Sequence, residues 1–151
     1  MTGAASVLIL EARFYDDITD NLVEGALNAL KSHGASYKRL VLPGVLEIPA
    51  AIRYVVQASE LCTTPENFSG YVALGCAIQG QTNHYEHVCR ESMAGIQKLA
   101  LQYALAIGNG VLTCPTHELA LQRSDPVQGN HGGRAARAAL RMIHVKRSFG
   151  L

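Results

Sequence analysis

The chain has 151 residues, the size of one domain, and is long enough to bury about two thirds of the surface that the unfolded chain would expose. Its 13 lysine and arginine residues nearly balance 12 aspartate and glutamate residues, giving a formal net charge of +1 without runs of like charge. This balance argues against a nucleic-acid partner and against binding to an anionic membrane surface.

The cysteines and the apolar segments indicate the compartment. Cys62, Cys76, Cys89 and Cys114 form no C-x-x-C pair, and most of them lie in or beside apolar stretches. We therefore expect buried free thiols rather than disulfides or a metal site. The N-terminus has no basic segment before a long apolar run, and no apolar stretch is long enough to span a membrane. These features predict a soluble cytoplasmic protein.

Strand-length apolar runs alternate with helical patterns from the N-terminus onward. The run SVLILEA predicts a buried strand over Ser6–Ala12, and a helix is expected over 16–33, ending before Gly34. The inward face of this helix carries Ile18, Leu22, Ala26, Ala29 and Leu30. A second strand is expected over 37–42. After the turn at Pro43-Gly44, a second helix is expected over 47–59, where Pro49 fits only the first turn.

The same alternation continues to the C-terminus. A polar loop over 63–70 precedes segments that predict a strand over 71–78, a helix over about 83–103, a strand near 106–113, a short helix over 116–123 and a last helix over about 132–145. This order predicts an α/β fold, a three-layer sandwich with a mainly parallel four-stranded sheet flanked by helices on both faces. No repeat or linker divides the chain, so we expect a single domain over 1–151.

In such a sheet, ligands bind at the carboxyl ends of the strands, where loops and helix N-termini meet. Four segments of the chain follow the predicted strands. They are Arg13-Phe14, 43–47, 79–84 and 113–117.

The segment GCAIQGQTNH, residues 75–84, has nearly the spacing of a nucleotide-binding P-loop. Gln81 stands where a P-loop has lysine, and the residues between the two glycines continue an apolar strand, so nucleotide hydrolysis is disfavoured. Gly80, Gln81 and Thr82 instead fall between a strand and a helix N-terminus, which is a natural anion site. The alternative is a helix cap by Thr82 or Asn83 that binds nothing.

Three further side chains each allow more than one interpretation. His84, in the first turn of a helix, could transfer protons beside a bound phosphate ester, or could simply face solvent. Its H-x-x-H spacing with His87 could hold a metal, but no nearby carboxylate or cysteine pattern completes such a site. Arg123 could grip a phosphate or form a surface salt bridge. Phe14 is either a core aromatic or a flat surface on which a ring could stack.

Five blocks, in this order along the chain, resemble the 6,7-dimethyl-8-ribityllumazine synthase family of riboflavin biosynthesis. They are EARFYDD, LPGVLEIPAA, VALGCAIQGQTNHYEHVCRES, IGNGVLT and GNHGGRAARAALRMI, and the resemblance covers nearly the whole chain. It implies a transferase that condenses 5-amino-6-(D-ribitylamino)uracil with 3,4-dihydroxy-2-butanone 4-phosphate, releasing phosphate and water. The family uses no metal and no redox cofactor.

The resemblance also implies roles for single residues. Phe14 would stack on the pyrimidine, while Cys76, Ala77 and Ile78 would meet its edge through backbone groups. The ribityl chain would contact Val45, Leu46 and Glu47, with Glu47 holding hydroxyls. Gln81, Thr82 and Arg123 would bind the phosphate, and His84 falls on the family's proton-transfer histidine. Asn109 would reach the site of an adjoining subunit, since the family's sites lie between protomers of a homopentamer.

Four positions depart from the family pattern. Gln79 replaces a usual arginine, Gln81 stands where glutamate or alanine is common, and Asn109 is phenylalanine in one branch. His131 replaces a usual lysine near the phosphate, which leaves open a low-activity paralogue that binds lumazine or a flavin without efficient catalysis. The short segment before the first strand predicts a free pentamer rather than a 60-subunit shell.

Overall fold

The computed structural model describes residues 3–151. In chain order, the elements are β1 (Ser6–Ala12), α1 (Asp16–Ser32), β2 (Ser36–Leu42), a 3₁₀ turn (Val45–Glu47), α2 (Ile48–Glu60), β3 (Gly70–Ile78), α3 (His84–Tyr103), β4 (Ile107–Cys114), α4 (His117–Ser124) and α5 (His131–Ser148). The predicted bounds of β1 are confirmed without change. The expected second helix begins one residue later than predicted, because the chain first makes the 3₁₀ turn.

The four strands form one sheet in the order β2-β1-β3-β4, and every pair is parallel. The predicted α/β sandwich is therefore confirmed. β3 is central and buried along almost its whole length, whereas β2 is an edge strand with most of its side chains exposed. Because all strands run in the same direction, their carboxyl ends lie together at one end of the sheet.

Side chains of the central strands alternate between two cores, as the pleat of a strand requires. Val7, Ile9, Val72 and Leu74 pack against α1, α4 and α5, while Leu8, Leu10, Tyr71 and Ala73 pack against α2 and α3. Helices thus cover both faces of the sheet. Within residues 3–151, no helix combines the length and the apolar character needed to cross a membrane.

α1 forms as its pattern predicts. All five residues expected on its inward face are buried, and Asp16 and Asp17 in the first turn and Lys31 in the last complement the helix dipole. Gly34, just beyond the end, has a φ of 68°, a left-handed conformation that glycine adopts without strain.

Glycine allows α5 to approach α1 closely. A Cβ atom on Gly132 would lie 1.9 Å from the carbonyl oxygen of Leu22, which no side chain could tolerate. The two backbones therefore touch, and the start of α5, including His131, is fixed against the middle of α1.

The four cysteines are free thiols, as predicted, but they do not share one environment. Cys76 and Cys114 are buried and Cys89 is half-buried, whereas Cys62 is exposed. The prediction of a buried thiol was wrong for Cys62, because this residue follows the end of α2 in a polar loop, with a φ of 54°.

Candidate active site

A cavity of about 400 Å³ opens at the end of the sheet where the carboxyl ends of the strands lie. It lies between the segments that follow β1, β2 and β3 and the N-terminus of α3, as the topology of a parallel sheet predicts. Its lining consists of Phe14, Tyr15, Pro43, Gly44, Val45, Leu46, Glu47, Cys76, Ala77, Ile78, Gly80, Thr82, His84, Tyr85 and Val88. Three of the four segments expected at this end contribute to it, and 113–117 does not.

The 3₁₀ turn after β2 forms one wall. Val45 is buried, and a Cβ atom on Gly75 would lie 2.6 Å from the Val45 Cγ1 atom, so the absence of a side chain at Gly75 lets the turn pack directly on β3. The anchored Val45 leaves Leu46, 45% exposed, and the exposed carboxylate of Glu47 beside the open space. This wall is therefore apolar with one acidic group.

Phe14 forms the opposite wall, directly after β1. Its side chain is 72% exposed, so the interpretation as a core aromatic is wrong. The ring meets Tyr15 edge to face, with 4.9 Å between ring centroids. Tyr15 in turn meets His117, whose Nε2 atom is 2.9 Å from Asp17 Oδ2. The Phe14 ring thus presents a free face at the cavity, and the contacts of Tyr15 with Phe14 and His117 support it.

The end of β3 provides the floor. Cys76, Ala77 and Ile78 remain in the strand, and the Gln79 N–H extends the pairing by donating to the Cys114 carbonyl oxygen at 3.0 Å. A P-loop cannot form where the backbone is committed to a sheet. Burial, with smaller contributions from Cys114, Asp17 and Cys89, raises the pKa of the Cys76 thiol to about 12. Cys76 therefore stays a neutral thiol and offers no nucleophile.

The N-terminus of α3 closes the cavity. The Thr82 hydroxyl oxygen accepts the His84 N–H at 3.3 Å, while Asn83 occupies the N-cap position without a capping bond from its side chain. Thr82 keeps its hydroxyl hydrogen free to donate, so the cap and a role in anion binding are compatible. His84 is exposed and lines the cavity from the first residue of the helix.

The lining carries an acid and a histidine but no permanent cation. Of the cavity-lining residues in the described part of the chain, none is lysine or arginine. Tyr85 stays a neutral hydroxyl, since burial above all, followed by Cys89, raises its pKa. An anion in the cavity would therefore meet the dipole of α3 and hydroxyl donors.

His87 follows His84 by one turn, but it does not line the cavity. Throughout residues 3–151, no three histidine, cysteine or carboxylate side chains are grouped as a metal would require.

Four residues that the family resemblance places at the substrates lie outside the cavity lining: Gln81, Asn109, Arg123 and His131. Gln81 is exposed in the loop between two lining residues. Asn109 is half-buried on the edge strand β4, where its Nδ2 atom is 3.3 Å from Met93 Sδ and its Oδ1 atom accepts the Val111 N–H at 3.0 Å. Arg123 is exposed in the last turn of α4, and His131 begins α5.

The environment of His131, including Arg123, keeps its imidazole uncharged. Burial lowers the pKa of His131 below its ordinary value, and the positive charges of Arg134 and Arg123 lower it further. Without a bound anion, His131 is therefore uncharged at neutral pH. The loop between the two residues folds back so closely that a Cβ atom on Gly129 would lie 2.6 Å from the Arg123 Cα atom.

Sequence reasoning missed three lining residues: Tyr15, Tyr85 and Val88. Tyr15 follows Phe14 directly, which was an available signal. Tyr85 and Val88 lie three residues apart on α3, a spacing that places them on one helix face. Such spacing is equally typical of core residues, and only the tertiary structure shows that this face borders open space.

Comparison with known proteins places this geometry in a family. The family model described as 6,7-dimethyl-8-ribityllumazine synthase matches residues 4–147. A 6,7-dimethyl-8-ribityllumazine synthase from Paramagnetospirillum magneticum is 50% identical over 97% of this chain and 98% of its own length. The enzyme of that name from Afipia carboxidovorans is 48% identical over 99% of this chain and 90% of its own. The 6,7-dimethyl-8-ribityllumazine synthase 1 of Rhodopseudomonas palustris is 46% identical over 96% and 88%, respectively. The chain belongs to the 6,7-dimethyl-8-ribityllumazine synthase family.

Proposed function

We propose that the chain condenses 5-amino-6-(D-ribitylamino)uracil with 3,4-dihydroxy-2-butanone 4-phosphate to 6,7-dimethyl-8-ribityllumazine, releasing phosphate and water. The observation that carries the proposal is one cavity bordered by an exposed aromatic ring, a carboxylate and a histidine at a helix N-terminus: Phe14, Glu47 and His84. These groups suit a flat heterocycle, a polyol chain and a phosphate ester, in a chain of this family.

The pyrimidine lies between Phe14 and the end of β3. The exposed ring supplies a stacking surface, and the backbone groups of Cys76, Ala77 and Ile78 supply hydrogen bonds to the pyrimidine edge. Because the Cys76 thiol stays neutral, it adds neither charge nor a competing nucleophile. This subsite orients the amino group of the pyrimidine toward the second substrate.

The ribityl chain follows the 3₁₀ turn. Val45 and Leu46 offer an apolar surface to its carbon backbone, and the Glu47 carboxylate accepts hydrogen bonds from its hydroxyls. The turn is rigid where Val45 packs on Gly75, so its exposed groups keep a fixed distance from β3. Holding the two substrates in one orientation supplies much of the rate acceleration.

His84 transfers protons. Attack of the amine on the carbonyl, loss of water, elimination of phosphate and ring closure each move a proton, and an imidazole can both accept and donate one near neutral pH. The bond from the His84 N–H to Thr82 fixes the backbone of the histidine at the helix start. His84 is thereby held beside the phosphate that Thr82 binds.

The phosphate subsite combines Gln81 and Thr82 at the start of α3 with Arg123 and His131. Because the described cavity lining has no lysine or arginine, the dianion needs a cation from outside that lining. Arg123 supplies a permanent charge. His131 supplies a conditional one, since an adjacent anion raises the pKa that burial and the arginines lower.

A non-catalytic relative that binds lumazine or a flavin finds no support among the three relatives described above, which are all named as synthases. The departure at His131 changes how the phosphate charge is balanced, and it leaves His84 and the pyrimidine subsite intact.

The assembly we propose is a homopentamer with its sites between subunits. The cavity lies at the carboxyl ends of β1, β2 and β3. Asn109 lies on β4, which is the edge strand on the opposite side of the sheet from β2. A head-to-tail contact, which closes into a ring when the rotation permits, would bring the β4 edge of one subunit to the cavity of the next. Asn109 would then complete the neighbouring site.

The reaction itself is the first test. Purified protein mixed with both substrates should form a product with lumazine absorbance faster than the spontaneous reaction. Protein-independent formation alone would refute the proposed activity, and tight binding of lumazine without turnover would establish the non-catalytic alternative.

Replacement of His84 distinguishes an effect on the chemical step from an effect on substrate binding. We expect His84→Ala to lower kcat by about tenfold to a hundredfold, at the low end of general acid–base effects because substrate orientation is retained. KM for both substrates should change by less. The matched control is His87→Ala, one turn along the same helix and outside the cavity lining. A kcat that survives in His84→Ala would mean that another group moves the protons.

Replacement of His131 by lysine tests the conditional charge. The lowered pKa means that wild-type His131 loses its proton as pH rises through that value, whereas lysine stays charged. KM for the phosphate substrate should therefore be lower in His131→Lys by about threefold to tenfold at pH 8, and the two proteins should converge only as the pH falls through the lowered pKa of His131. His131→Gln, never charged, serves as the control. A wild-type to variant KM ratio that does not vary with pH contradicts this assignment.

Light scattering tests the assembly. The purified protein should have a mass near five times that of the 16.2 kDa chain. A fully active monomer would exclude sites shared between subunits.

A further inference from the structure

Glu11 is a charged group inside the fold that the proposed reaction does not use. Its side chain is fully buried on β1, an uncommon position for a carboxylate unless it is paired. Burial alone would raise the pKa of Glu11, but hydrogen bonds from Arg39 and Arg13 and their charges lower it below its ordinary value. Glu11 is therefore ionised, and both arginines are held in place by it.

Arg13 joins this carboxylate to α1. Its Nε atom donates to Glu11 Oε1 at 2.8 Å, and its Nη1 atom donates to Asp16 Oδ1 at 3.1 Å and to Asp20 Oδ1 at 2.8 Å. The Arg13 backbone N–H also donates to the Leu42 carbonyl oxygen at 2.9 Å. One residue thus ties the turn between β1 and α1 to β1, to β2 and to the first two turns of α1.

Arg39 binds the same carboxylate without touching that turn. It lies on β2, where its Nε atom donates to Glu11 Oε2 at 2.7 Å and its Nη2 atom to Glu11 Oε1 at 3.0 Å. Arg39 therefore matches Arg13 in charge and in its buried partner, but not in its link to α1. This difference provides a natural control.

We propose that Arg13 is a positioning residue that holds Phe14 in place as the stacking surface for the pyrimidine. Phe14 follows Arg13 directly, and its largely exposed ring contacts only Tyr15, the next residue of the same turn, among the aromatic rings. Its direction therefore depends on the backbone that Arg13 anchors. A ring already ordered before binding spares the entropy cost of ordering it in the complex. The inference rests on the proposed function for the identity of the ligand.

Kinetics of two matched variants test the role. We expect Arg13→Met to raise KM for the pyrimidine substrate by about threefold to tenfold, with a smaller change in kcat and none in KM for the phosphate substrate. Arg39→Met should leave kcat and both KM values unchanged. Both variants lose a partner of Glu11 and should therefore unfold at a lower temperature. Equal kinetic effects of the two substitutions would reduce Arg13 to a structural role and overturn the proposal.

A double-mutant cycle tests whether Arg13 acts through the ring. In the Phe14→Ala background, Arg13→Met should add no further rise in KM for the pyrimidine, because the group that Arg13 positions is gone. Additive effects would overturn the proposal. If Arg13→Met fails to fold, Asp16→Ala combined with Asp20→Ala removes the link to α1 at exposed positions and should raise the same KM.

Fluorescence provides a readout that needs no substrate. The chain has no tryptophan, so Phe14→Trp introduces a single indole at the stacking position. Adding Arg13→Met should lower the residual anisotropy of this indole in a time-resolved measurement, whereas adding Arg39→Met should not. Identical anisotropy in both would overturn the positioning role even in an active enzyme. Failure of the unsubstituted protein to form lumazine would instead refute the proposed function, so the two failures are distinguishable.

Discussion

The parallel pairing of β3 with β1 on one side and β4 on the other is the constraint on which the cavity depends. Parallel pairing places the carboxyl ends of all the strands at the same end of the sheet, so the segments after β1, β2 and β3 must share space there. β3 has helices over both faces and is buried almost throughout, which fixes its end as a rigid floor. Gly75 then allows the 3₁₀ turn to settle on that floor, and the cavity is what remains between this turn and Phe14.

The distribution of charge follows from the same arrangement. Strands that are buried on both faces carry apolar residues up to their ends, so polar groups at the cavity come from the loops and from α3. These supply Glu47, Thr82 and His84, whereas the arginine and the histidine of the proposed phosphate subsite belong to α4 and α5. In the proposed reaction, the cavity thus holds the organic part of the substrates, and the phosphate is bound from two sides, by the start of α3 and by Arg123 and His131 outside the lining.

Periodicity and turn residues were sufficient to predict the elements and the end of the sheet at which the cavity lies. β1 has its predicted bounds, and Pro49 lies in the first turn of α2 as its chemistry requires. The 3₁₀ turn was not predictable, because it depends on contact between Val45 and Gly75, which are distant in sequence. The exposure of Phe14 and the lowered pKa of His131 likewise depend on neighbours from other elements. Local patterns carry no information about such contacts.

α1 contributes no residue to the cavity lining of the described chain, yet it touches both proposed subsites from behind. Its first turns hold Arg13, next to Phe14, and its middle meets α5 backbone to backbone where Leu22 faces Gly132, next to His131. In the proposed reaction, α1 would therefore support the aromatic wall through Arg13 and the start of α5 through Leu22, although none of its own residues meets a substrate. Substitutions on this helix would then disturb both subsites at once, whereas substitutions in the cavity lining would disturb one.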